Sequence, residues 1–191
     1  MATSDDVIRT RRWSRREYDR LIELGILHED EPIELLAGRL VVAEPKRPPH
    51  AVATDLVASA LRRAFGPGWT VRTQAPIALD DFSEPEPDLA VVPGDPRHYR
   101  DAHPARPVLA VEIAETSLRL DRGLKHRLYA GAGLEEYWIV NLVDGVLEVY
   151  RDPARRRRRG SYRSVEILGP EAVVSPLAAP QARISVADLL P

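Results

Sequence analysis

Three acidic residues and one lysine have the types and spacing in this chain to do chemistry. Glu112 lies near the end of the apolar run Val108-Leu109-Ala110-Val111-Glu112-Ile113, and a carboxylate inside an apolar strand is costly to bury unless something compensates its charge. Asp88 follows Pro87 at the start of a second apolar run, Asp88-Leu89-Ala90-Val91-Val92. Two carboxylates meeting at neighbouring strand ends repel each other unless a divalent cation such as magnesium bridges them. An arginine partner for Glu112, or its exposure at the strand end, would answer the charge equally well. Asp121, Lys125 and Tyr129 recur every four residues and share one face of a predicted helix, in the order that favours an Asp121–Lys125 ion pair. That spacing suits an ordinary surface pair. It also suits a working lysine, because only Lys46 and Lys125 among 27 basic residues are lysines, and a lysine pKa can be shifted toward catalytic use.

The elements that must position these groups are legible from patterning. Ser14 to Glu17 has capping-box spacing, which predicts a short amphipathic helix stopped at Gly25. Ile33 to Leu36 and Arg39 to Val42 flank Ala37-Gly38 and read as a β-hairpin carrying Glu34. A helix is expected from Pro49 to Phe65, with His50 in its first turn and Gly66 at its end. Strands are expected at Trp69 to Gln74, Pro76 to Leu79, Asp88 to Val92 and Val108 to Ile113, with a long proline-rich loop from Pro93 to Pro107. Ser117 is placed to cap a helix over Leu118 to Ala130, and Glu135 to Val140 then completes a βαβ unit. A hairpin through Asp144-Gly145 leads to Val146 to Tyr150, a last strand near Ser164 to Leu168 and a terminal helix capped by Ser185. This order argues an α/β fold, a mixed sheet with helices on both faces.

Composition bounds the function. At 191 residues and 44% hydrophobic the chain can bury a core without staples, and the absence of cysteine excludes disulfides, zinc ribbons and thiolate nucleophiles. No apolar run approaches the roughly 20 residues of a membrane helix, and the N-terminus lacks the apolar core of a signal peptide. A soluble cytoplasmic protein with no membrane partner is expected. The net charge of −2 conceals arginine clusters at Arg9 to Arg20 and Arg155 to Arg159; the five-arginine run reads as a solvated loop at least as well as a nucleic-acid contact. His28, His98, His103 and His126 have no metal-like spacing and read as surface residues. Trp13, Trp69 and Trp138 read as core or core rim.

The set Pro87-Asp88, Glu112-Ile113-Ala114 and Lys125 resembles the PD-(D/E)XK restriction-endonuclease-like superfamily, and more narrowly the Uma-two family of endonucleases. The resemblance includes IELLAGRLVV with Glu34, His50, Gln74, EPDLAVV, LAVEIAETSL and DRGLKHRLYAGAGLEEYWIVN, running from about Trp13 to Tyr150 and again from Ile184 to Leu190. It implies a restriction-endonuclease-like mixed sheet flanked by helices, preceded by an N-terminal helix and hairpin, in one domain over 1–191. The core is expected at about 13–150, with 151–191 supplying the arginine-rich loop, last strand and C-terminal helix. Asp88 and Glu112 would be Mg²⁺ or Mn²⁺ ligands, helped by the main-chain carbonyl of Ile113, and Lys125 the catalytic lysine. Glu34 would complete the catalytic set, with His50, Gln74, Asp121 and Tyr129 around it. The superfamily's usual lysine position, two residues after the glutamate, is Ala114 here, so the amine must come from the helix. Glu115 stands where the family often has serine and adds an acid near the site.

The function implied is metal-dependent endonucleolytic hydrolysis of DNA phosphodiester bonds, in a homodimer by analogy with two-strand cutters. Replacing Lys125 by Met should then abolish cleavage and spare metal binding. The alternatives are a non-catalytic nucleic-acid or protein-binding module retaining the fold, and a hydrolase of smaller phosphoesters. Steep salt dependence would mark a duplex substrate.

Overall fold

Ser14 caps the first helix, α1 (Arg15–Glu23): its hydroxyl accepts from the Glu17 N–H, and the Glu17 carboxylate accepts from the Ser14 N–H at 2.9 Å. The structure, a computed structural model, describes residues 10–28, 31–43, 45–154 and 160–191. Arg9 and the arginine run at 155–159 lie outside the described residues. The hairpin forms as patterned, β1 (Ile33–Leu36) against β2 (Arg39–Val42), with Ala37 and Gly38 both at positive φ in the turn. Helix α2 (Pro48–Phe65) starts on two prolines that need no N–H partner and ends at Gly66, φ 64°.

Six strands build the main sheet: β3 (Trp69–Thr73), β4 (Leu89–Pro93), β5 (Leu109–Ala114), β6 (Glu136–Asn141), β7 (Val146–Ala154) and β8 (Ser161–Leu168), in that spatial order. Every neighbouring pair is antiparallel except β5–β6, the parallel pair of the expected βαβ unit. The crossover between them comprises α3 (Leu118–Leu120), a π-helical turn Asp121–Lys125 and α4 (His126–Ala132). The strands are buried on both sides. Leu89, Val91, Leu109, Val111 and Trp138 pack toward α2, while Ala90, Ala110, Ala114, Tyr137 and Ile139 face Tyr129 and Ala130 of α4. Alanines on that second face make room for a cluster of Tyr129, Tyr137, Tyr150 and Tyr162, ring centroids 4.8–6.2 Å apart. Trp138 is fully buried and Trp69 sits at the core rim against Phe65. A two-stranded sheet, β9 (Val173–Val174) with β10 (Ile184–Ser185), adds Val174 and Ile184 to the α2-side core.

Four expectations are corrected. Pro76 to Leu79 is extended but joins no ladder: Gln74 turns the chain away from β3 at φ 47°, and the Ile77 and Ala78 N–H groups bond to the Pro85 and Pro104 carbonyls. The helix expected over Leu118 to Ala130 forms but takes in a π turn at Asp121–Lys125, and Ser117, itself in helical conformation, makes no backbone cap. The terminal helix is a single 3₁₀ turn, Val186–Leu189, because Ser185 is committed to pairing with Val173 and caps nothing. His126 is half-buried rather than free at the surface; its ring packs edge-on against Tyr150 and Tyr162. Among the described residues no helix is long and apolar enough to cross a membrane.

A β-carbon on Gly160 would lie 2.5 Å from the Arg127 carbonyl oxygen and closer still to the Gly131 nitrogen. Backbone meets backbone there, so Gly160→Ala should cost about 2 kcal/mol in urea unfolding; an unchanged midpoint would show that α4 shifts freely. Glu84, buried beside Arg15 at 3.2 Å, has its carboxyl raised to about 7, by burial first and then by Asp19. The native state therefore holds more protons than the unfolded chain between about pH 4.5 and 7, and stability falls as pH rises through that window. Glu84→Gln removes the fall, so its Tm gain over wild type should be larger at pH 8 than at pH 5. Equal gains at both pH values would mean that Glu84 ionises in the folded protein as it does in the unfolded chain.

Candidate active site

Strand β5 runs past the start of β4: their pairing ends at Leu89 opposite Val111, so the Ile113 N–H finds no strand partner on that side. Asp88, one residue before β4, fills the gap, and its Oδ2 accepts from the Ile113 N–H at 2.8 Å. The same oxygen lies 3.1 Å from His50 Nε2 on the first turn of α2. Thr54, one turn later, donates to the His50 carbonyl at 2.8 Å, and its hydroxyl lies 3.4 Å from His50 Nδ1. Gln74 serves only through its backbone: its N–H donates to the Asp88 carbonyl at 2.9 Å, while the residue is exposed and outside the pocket lining.

Glu112 alternates on β5 with Val111 and Ile113, and so points to the α4 side of the sheet. There Lys125 Nζ meets it at 3.1 Å and the Tyr129 hydroxyl donates to Oε1 at 2.6 Å. Lys125 also lies 3.2 Å from Glu34 Oε1, and Glu34 Oε2 accepts from the Glu86 N–H at 2.9 Å. The hairpin, β5 and the π turn thus converge on one ammonium. Neither simpler reading of Glu112 survives, since its partners are Lys125 and Tyr129 and it is 3% exposed. The surface ion pair is likewise overturned: Asp121 and Lys125 are both buried, and Asp121 bonds instead to Ser117 Oγ at 2.5 Å.

The electrostatics follow from burial. Burial pulls the Lys125 ammonium down, but Glu112, Glu34, Asp121 and Asp88 together outweigh it and hold it above the ordinary lysine range. That direction is opposite to the one proton transfer needs, so Lys125 is a fixed positive charge. Burial pushes the Glu112 carboxyl up, Lys125 pulls it back, and Asp121, Asp88 and Glu34 push it up again. Burial also raises Asp121, to about 6, against the pull of Lys125 and Ser117. Tyr129 is raised by burial and by Glu112, and stays a donor.

Glu34, Asp88, Glu112, Asp121 and Lys125 form the floor of a cavity of about 1070 Å³. Both lysines of the chain line it, Lys46 standing 3.8 Å from Asp88 Oδ1. Patterning gave no signal for Lys46 beyond its rarity. Arg39, Arg47, Arg119 and Arg127 line the same cavity, with Arg47 3.7 Å from Glu115. The result is an acidic floor inside a basic wall.

The donor set suits a divalent cation. Four buried carboxyls, those of Glu34, Asp88, Glu112 and Asp121, face one buried ammonium, and Asp121 Oδ1 has no partner. Among the described residues no group of three or more histidine or acidic side chains is placed to hold a metal ion by itself. Magnesium commonly takes only one or two carboxylates and keeps its waters, so an open set of oxygens fits it.

A search of curated proteins finds no match. Among solved structures, one described as a "putative nuclease belonging to DUF820" from Anabaena variabilis superposes with a TM-score of 0.66. It is 20% identical, over 88% of this chain and 96% of that one, and it establishes likeness of fold. The family model described as Uma2, "Putative restriction endonuclease", matches residues 15–187. That match takes in the hairpin, Asp88, Glu112, the π turn with Lys125 and the closing segment, and the chain belongs to the Uma2 family.

Proposed function

We infer that this chain is a metal-dependent endonuclease that hydrolyses DNA phosphodiester bonds. The observation that carries the reading is the Lys125 ammonium, held between buried Glu112 and Glu34 on a pocket floor shared with Asp88 and walled by arginines. Asp88, Glu112 and the Ile113 carbonyl would hold Mg²⁺ or Mn²⁺, which when bound supplies Lewis-acid polarisation of a phosphoryl oxygen and a more acidic bound water.

The chain's own residues prepare the rest. Lys125, kept protonated, offers a preorganised positive charge to the negative charge that grows on phosphorus oxygens in the transition state. Glu34 and Glu112 fix where that charge stands, and Tyr129 fixes Glu112. His50 and the Ile113 N–H hold Asp88 in one rotamer, with its Oδ1 left for other partners. Arg39, Lys46, Arg47, Arg119 and Arg127 supply the positive wall that draws a phosphate backbone to an acidic floor. A duplex cut on both strands needs two such sites, which a two-fold homodimer would provide.

The test is cleavage of supercoiled plasmid with Mg²⁺ or Mn²⁺, beside Asp88→Ala, Lys125→Met and an EDTA control. Metal-dependent nicking absent from both variants is expected. A wild-type protein that cuts no DNA with either metal would overturn the reading in favour of a binding module.

A further inference from the structure

Three buried side chains among the described residues leave a polar atom without a partner: Arg72, Tyr162 and Asp121. Only Asp121 lines the acidic pocket. Its residue is 1% exposed, its Oδ2 is bound by Ser117 Oγ at 2.5 Å, and its Oδ1 meets nothing. A buried carboxylate with half its acceptor capacity unused is expensive, and the nearest buried cation, Lys125, is already taken by Glu112 and Glu34. A water molecule could fill the lone pair but would not offset the charge.

The local structure is built to hold that carboxylate where it is. Asp121 opens the π turn, a conformation that single functional positions tend to exploit. The Tyr137 hydroxyl donates to its main-chain carbonyl at 3.3 Å, anchoring the turn to β6. Ser117 gives up a backbone-capping role to bind Oδ2, which fixes the side-chain rotamer. Both oxygens of Glu112 are engaged by Lys125 and Tyr129, so the acceptors least committed on the floor are Asp121 Oδ1 and Asp88 Oδ1, the latter with only Lys46 at 3.8 Å.

We propose that Asp121 is a helix-borne ligand for the divalent cation, acting with Asp88, and that Ser117 is the residue that orients it. The proposal rests on the metal-dependent reading above and adds to it a carboxylate from the crossover helix.

Calorimetric titration of the full chain with Mn²⁺, in the absence of DNA, tests it on wild type, Asp121→Asn, Ser117→Ala and Asp88→Asn. Asp121→Asn should weaken Mn²⁺ binding about 100-fold, and Ser117→Ala, which keeps the carboxylate but frees its rotamer, about 10-fold. The metal-free Tm of Asp121→Asn should equal or exceed that of wild type, because a buried charge without compensation is gone, while the Mn²⁺-induced rise in Tm should shrink. Wild-type affinity in Asp121→Asn beside lost affinity in Asp88→Asn would overturn the role of Asp121 and leave the metal-dependent reading intact. Wild-type protein that binds no Mn²⁺ would overturn both. Should Asp121→Asn fail to fold, unchanged affinity in Ser117→Ala would overturn the proposal.

Discussion

Lys125→Met should lose cleavage by about 10³-fold, and the same variant should become less stable in a pH-dependent way. The ammonium stands 3.1 Å from Glu112 and 3.2 Å from Glu34, all three groups being buried. Removing one member of a buried charge set leaves the others unpaired, which costs about 3–5 kcal/mol. The sign with pH follows from what Lys125 does to its neighbours. It pulls the Glu112 carboxyl down against burial, so without it that carboxyl is raised further above its unfolded value. A raised carboxyl costs nothing below the unfolded value near 4.5, where both states are protonated, and the cost grows as pH rises toward the folded value. Urea unfolding should therefore show a smaller loss at pH 5 than at pH 8. Equal losses at the two pH values would mean that Lys125 stabilises the fold by packing alone.

The structure also changes what the substitution should do to metal binding. The family resemblance implies that Met at this position spares the metal ligands. In the folded protein the Lys125 ammonium occupies the carboxylate oxygens of Glu112 and Glu34, so its removal frees acceptors and one unit of competing positive charge. Mn²⁺ affinity should rise in Lys125→Met while cleavage falls, and the added ion should restore part of the lost stability. Opposite movements of affinity and activity separate a lysine that acts on phosphate from one that only builds the metal site.

How much of this was legible in the chain depends on the range of the interaction. The hairpin turn at Ala37-Gly38 and the capping box at Ser14-Glu17 are local devices, and both appear where their residues place them. Asp88, Glu112 and Lys125 were legible because each breaks a pattern: an acid in an apolar strand, an acid after a proline, a lysine in an arginine-rich chain. Their partners were not. Lys125 pairs with Glu112 and Glu34 rather than with Asp121, four residues away, in a π turn that the Tyr137 hydroxyl on β6 anchors at the Asp121 carbonyl. Helical spacing alone treats Asp121–Lys125 as a pair. Lys46 reached the pocket through the fold of the β2–α2 connection, for which composition offers no direction. The resemblance places the Gln74 side chain near the site, whereas the residue, at φ 47°, contributes its backbone N–H to Asp88.

Asp88→Asn should abolish cation binding while leaving the fold in place, because of how the two oxygens of Asp88 are divided. Oδ2 is fixed by the Ile113 N–H at 2.8 Å and by His50 Nε2 at 3.1 Å, and Oδ1 is turned toward Lys46 in the pocket. An asparagine has one acceptor oxygen, and the Ile113 N–H, which has no strand partner at that position, captures it. The amide NH₂ then stands where Oδ1 was, presenting donors to a cation and to Lys46. A ligand has been converted into a repulsive group without a change of shape. Loss of an outer-shell partner typically weakens metal binding 10–100-fold, and inversion of a ligand atom should exceed that. Mn²⁺ calorimetry should therefore show at least a 100-fold loss, plasmid cleavage should fall by about 10³-fold, and the Tm without metal should stay close to wild type, since the bond to Ile113 is retained. Unchanged Mn²⁺ affinity would remove Asp88 from the metal site and, with it, the reason for the gap that β5 leaves beside β4.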